Sequence, residues 1–218
     1  SAPTSMTLSD GTSPNFDPLD RRGSFLDFML NKDGEDHFRL RKLAIKALTA
    51  KTVKAMEGYV IETATASVDQ ALRDGGMEVI DALARRVPSI MICRIMGVPD
   101  ADREKFIRWT AARTNAFFGR FLPPEVQAFC RNAGEEMADY FDDLVARRRA
   151  DPQEDLISQF IAADVDGQKL TDEEIVVQAI GLITAGFETT IGLIGNGVRS
   201  LVEHPDQLDR LRAHEDLT

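Results

Sequence analysis

The stretch between Thr171 and Pro205 restricts the architectures open to this chain more than any other. Thr171-Asp172-Glu173-Glu174 has the form of a capping box, in which a hydroxyl and the carboxylate three residues on satisfy each other's backbone donors. Pro205 cannot continue a helix, so the pattern predicts one uninterrupted helix from the box to about Glu203. At 1.5 Å rise per residue that helix is about 48 Å long, enough to cross a whole domain. Its longest apolar run, Ile175 to Phe187, is broken by Gln178 and Thr184 and then meets Glu188. That suits a core helix better than a membrane span.

The rest of the pattern is mainly α. Residues 1–34 form a loop-rich lead-in, with Ser, Thr, Pro, Asp and Gly dominating the first 23 positions and a short apolar patch from Phe25 to Leu30. Residues 35–170 read as successive helices. Leu40, Leu43, Ala44, Ala47 and Leu48 carry the three-four spacing of a buried helix face. A second helix runs from Val53 to Arg73 and stops at Gly75-Gly76. A third covers Val79 to Met96, with Pro88 marking a break or a first-turn position. A fourth spans Asp102 to Phe118, closed by Gly119. A fifth opens at Pro123-Pro124 and ends near Ala150, where Arg147, Arg148 and Arg149 complement the helix dipole. A short sixth covers Pro152 to Ala163, and Val165-Asp166-Gly167-Gln168 reads as a turn. The long helix occupies 171–203, and a last short one 205–214. No strand-like alternation and no repeat is present.

A formal charge of −10 argues against nucleic acid as a partner, because such a chain repels phosphate backbones. The charge is uneven. Between His37 and Met56 there is no acid, while Arg39, Arg41, Lys42, Lys46, Lys51 and Lys54 all fall there. This is either a solvated helix face or a docking patch for an acidic partner or for cofactor carboxylates. Cys93 and Cys130 have no metal-type spacing and read as buried reduced thiols. No metal ligand set is expected within the chain. With no signal peptide and no membrane span in the pattern, a cytoplasmic location is expected.

Within the long helix, Ala185-Gly186-Phe187-Glu188-Thr189-Thr190 places an acid and two hydroxyls in apolar surroundings. Glu188 is expected to face an interior, where a carboxylate must be paired or neutral. Carboxyl and hydroxyl together are what a proton relay needs. Gly181, Gly186, Gly192, Gly195 and Gly197 each cost about 1 kcal/mol relative to Ala in a helix interior. For the last three, close helix packing is the expected reason. Gly186, beside Glu188, would let a flat ligand lie against the backbone. Thr184, Thr189 and Thr190 can bond back to carbonyls four residues earlier and bend the helix.

The hexapeptide at 185–190 resembles the oxygen-binding motif of the central helix of cytochromes P450. His37-x-x-x-Arg41 resembles that family's propionate-binding helix, Ile95-Met96-Gly97-Val98-Pro99 one of its helix ends, and His204-Pro205 the segment after its central helix. Their order is that of the soluble bacterial branch. The resemblance implies that His37 and Arg41 hold haem propionates and that Ala185 and Gly186 form the oxygen groove. Glu188 and Thr189 would deliver protons to bound dioxygen, with Glu in place of the commoner Asp lengthening the relay. Leu182, Ile183 and Phe187 would line the substrate side. A ferredoxin-type electron donor would dock partly on the basic run, steered by charge. The implied substrate is a small apolar organic molecule.

The resemblance covers only the helical portion of such a fold. The family's β-rich parts and its Gly-rich loop carrying the axial Cys have no counterpart here, and Asp209-x-x-Arg212 does not match its Glu-x-x-Arg pair. The chain therefore reads as about the middle half of a P450, with the axial Cys expected outside it, and as inactive without that ligand. The alternative is a truncated, non-catalytic helical ligand-binding module of the same ancestry.

Overall fold

A computed structural model describes residues 27–116 and 122–214. Among them nine α-helices follow one another, and the only β-type pairing is the isolated bridge between Val165 and Gln168. The expected loop over 1–23, the start of the Phe25–Leu30 patch, and the end of the fourth helix at Phe118 and Gly119 lie outside the described residues.

Helix α1, Gly34–Ala47, buries Leu40, Leu43, Ala44 and Ala47 as its spacing predicts, while Leu48 caps its end and stays exposed. The second predicted helix is two: α2, Ala50–Ala55, and α3, Glu57–Asp74. Thr49 starts α2 by accepting from the Thr52 N–H at 3.1 Å, and the Met56 N–H turns to Val53, three residues back, where the two helices meet. Gly75 ends α3 in the left-handed region at φ 77°.

Pro88 explains the next element. A π-helical turn, Ile80–Arg85, leads into α4, Arg86–Met96, with Pro88 in the first turn of α4. A proline ring clashes with the carbonyl four residues back in a regular helix, and a widened turn relieves that clash. Helix α4 closes at Gly97, φ 74°, where a Cβ would fall on the Asp155 carboxylate and the Arg148 guanidinium. Glycine is required there both by the backbone and by the close approach.

Helices α5, Arg103–Ala116, and α6, Pro124–Ala150, are fastened by edge-to-face contacts among Phe106, Trp109, Tyr140 and Phe141, with ring centroids 5.0–6.0 Å apart. Helix α7, Leu156–Ala162, starts later than the pattern suggested because Asp155, not Pro152, caps it, accepting from the Ser158 N–H at 2.8 Å. The turn after it has Asp166 and Gly167 at positive φ inside the Val165–Gln168 bridge, the backbone of a tight two-residue hairpin turn.

Helix α8, Asp172–Glu203, has the predicted 32 residues, and both halves of its capping box form. Helix α9, Pro205–Ala213, follows. By length and composition α8 could cross a membrane, but 61% of its most apolar window is buried inside the protein. It is a core helix, packed against α4, α5, α6 and α7. Phe106, Met137, Phe141, Phe160, Ile180 and Ile183 fill the space between them.

Candidate functional site along the central helix

An α-helix turns about 100° per residue, so spacing alone sorts the residues of α8. Gln178, Leu182, Ala185, Thr189, Gly192 and Asn196 share one stripe. Ile180, Ile183, Phe187 and Ile191 lie on the opposite side and are buried in the core. The stripe is covered at its start, partly open at Leu182, and exposed at Ala185, Thr189 and Gly192.

The two hydroxyls of the hexapeptide bond back as anticipated. Thr189 Oγ1 donates to the Ala185 carbonyl at 2.6 Å and Thr190 Oγ1 to the Gly186 carbonyl at 2.7 Å. Buried Thr184 does the same to Ile180 at 2.8 Å. With its proton so engaged, Thr189 offers oxygen lone pairs outward and must rotate to donate elsewhere. At Gly186 a Cβ would meet only Ile92 Cδ1, at 3.4 Å, so helix packing does not require a glycine there. Gly195 does serve packing, since a Cβ would lie 2.6 Å from Ile80 Cδ1. Gly192 and Gly197 face open space, against the expectation of close packing.

Two expectations are corrected. Glu188 does not face an interior: it is half-buried and makes no hydrogen bond or ion pair among the described residues. Phe187 points into the core, and one further residue of rotation carries Glu188 to its edge. Glu188 and Thr189, adjacent in sequence, therefore do not face each other. Ile183 and Phe187 do not line an open substrate side either. They close on Ile92, Cys93 and Phe106, leaving a packing void that admits no water. Leu182 alone of the three lies on the exposed stripe.

His37 and Arg41 share a face of α1. His37 is half-buried, and its Nδ1 lies 2.8 Å from the Met29 carbonyl. Arg41 is exposed and unpaired among the described residues. So are Lys42, Lys46, Lys51 and Lys54, and Phe38 and Ile45 of α1 are exposed too. Arg39 departs from the run by pairing with Glu174 of the α8 capping box. Burial alone would raise the Glu174 carboxyl, but the Arg39 guanidinium and the Thr171 N–H outweigh it and hold the carboxyl below the usual carboxylate range.

What sequence reasoning missed is the connection between α1 and α8. Gln178 accepts the Met29 N–H at 3.2 Å, so the segment that receives His37 is anchored on the same stripe as Ala185 and Thr189. Those two residues lie about 10 and 16 Å farther along the axis. The available signal was a single Gln inside an apolar run. Cys93 and Cys130 are both core residues, each 1% exposed, and burial pushes the Cys93 thiol up to about 12. Among the described residues no three His, Cys, Asp or Glu side chains cluster as metal ligands.

Comparison with known proteins gives this arrangement a context. The chain is 36% identical over 184 residues to cytochrome P450 107B1 of Saccharopolyspora erythraea, covering 84% of this chain and 44% of that protein. It is 38% identical over 190 residues to the biotin biosynthesis cytochrome P450 of Bacillus subtilis (strain 168), covering 87% of this chain and 47% of that protein. The solved structure of P450BioI in complex with an acyl carrier protein superposes with a TM-score of 0.83 at 34% identity, over 94% of this chain and 52% of that one. The chain thus spans about half the length of the relatives it matches. The family model for cytochrome P450 matches residues 20–216, and the chain belongs to that family.

Proposed function

We propose that this chain supplies the helical part of a haem-thiolate monooxygenase, which takes electrons from a ferredoxin-type donor and uses dioxygen to oxidise a small apolar organic substrate in the cytoplasm. The observation that carries this reading is the open stripe of α8. It combines a flat small-residue surface at Ala185 with a hydroxyl, Thr189, held against the Ala185 carbonyl at 2.6 Å.

The residues present fit a planar cofactor with acidic arms. Arg41 and, once its ring is protonated, Nε2 of His37 are without partners among the described residues and are donors suited to carboxylates. Ala185 and Gly186 allow close approach to the helix backbone, and packing does not otherwise demand the glycine. Haem with a thiolate ligand, when bound, supplies dioxygen binding and O–O cleavage. The part of these residues is proton management and exclusion of bulk. Thr189 accepts or relays a proton at Oγ1 by rotating off the Ala185 carbonyl. Glu188, set about 100° away around the helix, passes protons to it through water rather than directly. Leu182 and exposed Leu193 offer an apolar border to the substrate. The exposed cations of α1 and α2 steer an acidic electron donor.

Neither cysteine is placed to supply the thiolate. Both lie in the core, and the Cys93 thiol stays protonated at neutral pH. Their burial supports a reading in which the axial Cys belongs to a part of the protein outside these residues. The same observation favours the second reading, a non-catalytic helical ligand-binding module. The absorption spectrum of the haem complex, reduced and treated with carbon monoxide, separates the two. A thiolate-type band supports the monooxygenase. Binding of an apolar ligand with no thiolate band overturns it in favour of the module.

A further inference from the structure

Gln178 is wholly buried, 0% exposed, in the apolar half of α8. Burying an amide is costly unless both of its ends are bonded. Both ends engage one segment: Oε1 accepts the Met29 N–H at 3.2 Å, and Nε2 donates to the Asp27 carbonyl at 3.4 Å. One turn along, the Phe28 ring is seated against Gly181, where a Cβ would overlap it. One turn back, Glu174 pairs with Arg39 of α1. Glu174, Gln178 and Gly181 follow the spacing of one helix face, and together they register α1 and the segment before it on α8.

The consequence reaches His37. The Met29 carbonyl, fixed by this arrangement, can only accept, so the His37 nitrogen 2.8 Å away, Nδ1, must carry a proton. The other ring nitrogen, Nε2, has no partner among the described residues. We propose that the Glu174–Gln178–Gly181 face of α8 is a positioning device for His37, holding residues 27–31 so that Nδ1 is engaged and Nε2 is left to donate to an anionic ligand when the ring takes up a second proton. This rests on the reading of His37 as a carboxylate holder. Gln178 acts through Met29 and is a positioning residue, not a catalytic one.

The test is the tautomer of His37. The chain has three histidines, so long-range 1H–15N correlations of the labelled protein can resolve each ring. His204 is an internal control, because its Nδ1 lies 2.9 Å from the Ser200 carbonyl of its own helix. At about two pH units above the ordinary histidine pKa, His37 of the wild type should be the Nδ1–H tautomer. Gln178→Met, and separately Phe28→Ala, should convert it to a mixture and leave His204 unchanged. If Gln178→Met does not fold, Phe28→Ala decides. An unchanged His37 tautomer in the folded variants overturns the proposal. With the ring protonated, about one pH unit below the ordinary histidine pKa, the affinity for added hemin, followed by Soret titration, should fall about tenfold in the same variants, as for other losses of an outer partner behind a ligating group. A lost tautomer with unchanged hemin affinity supports the positioning role and overturns the carboxylate reading of His37.

Discussion

Asp155 offers the sharpest test of how this fold is held together. Its carboxylate, 4% exposed, caps α7 through the Ser158 N–H and pairs with Arg148, which is 17% exposed and donates to the Gly97 carbonyl at 3.0 Å. One side chain thus ties the ends of α4 and α6 to the start of α7. In Asp155→Ala the lost cap costs about 1 kcal/mol. Leaving a buried charge unpaired costs about 3–5 kcal/mol in full burial. Arg148 keeps its bond to Gly97 and some solvent, so about 2–3 kcal/mol applies here. The sum is about 3–4 kcal/mol, or a drop in Tm of about 6–16 °C for a chain of this size. Asp155→Asn keeps an acceptor for the cap and should cost only about 1–2 kcal/mol. The double variant Asp155→Ala/Arg148→Met removes the orphaned charge and should be more stable than Asp155→Ala alone. Urea unfolding followed by far-ultraviolet dichroism measures all three. A shift below about 0.5 kcal/mol for Asp155→Ala, within the range of ordinary surface changes, or a double variant no better than the single, would refute the reasoning.

Three further outcomes are expected. Thr189→Ala should leave stability within about 0.5 kcal/mol, since the hydroxyl is exposed. It should lower the product formed per electron pair consumed in the complete enzyme, while Thr189→Ser retains it; equal coupling in the Ala variant would remove the relay role. Arg41→Ala deletes a charge-assisted bond of about 1.5–3 kcal/mol and should weaken hemin binding about 10-fold or more, with unchanged affinity counting against the propionate assignment. Cys93 has its folded pKa raised by burial to about 12 from an ordinary 9.0. Its protonated form is favoured in the fold, so its contribution is fully present below pH 9.0 and is lost as pH rises toward 12. Cys93→Ala should flatten that alkaline decline, and the native thiol should resist alkylation at pH 8 until the protein unfolds.

The helices were legible because their punctuation is local. The Thr171–Glu174 box, Pro124, Gly75 and Gly97 each act within a few residues, and each marks a boundary in the structure. The exceptions arise where a boundary depends on a distant partner or a backbone compromise. The divide at Met56 has no proline to announce it, and Gly58, two residues on, lies inside α3 rather than at the boundary. The π turn before Pro88 is one of two ways to accommodate a proline, and periodicity does not choose between them. Asp155 looks like any acidic cap until Arg148 and Gly97 are brought to it by the fold.

The site was legible by residue type and not by direction. Glu188 in an apolar run suggests burial, but burial on a helix is a matter of angle, and 100° separates it from buried Phe187. The same rule sends Ile183 and Phe187 into the core and leaves Leu182 on the stripe with Ala185 and Thr189. Gln178 is the reverse case. It interrupts an apolar run, as a defect would, yet it lies on that stripe, and its partners are some 150 residues away in sequence. The segment it anchors brings His37 to one end of the surface whose other end carries Thr189. The three helical turns from Gln178 to Thr189, about 16 Å of unbroken helix, place those two features at a fixed separation on one face.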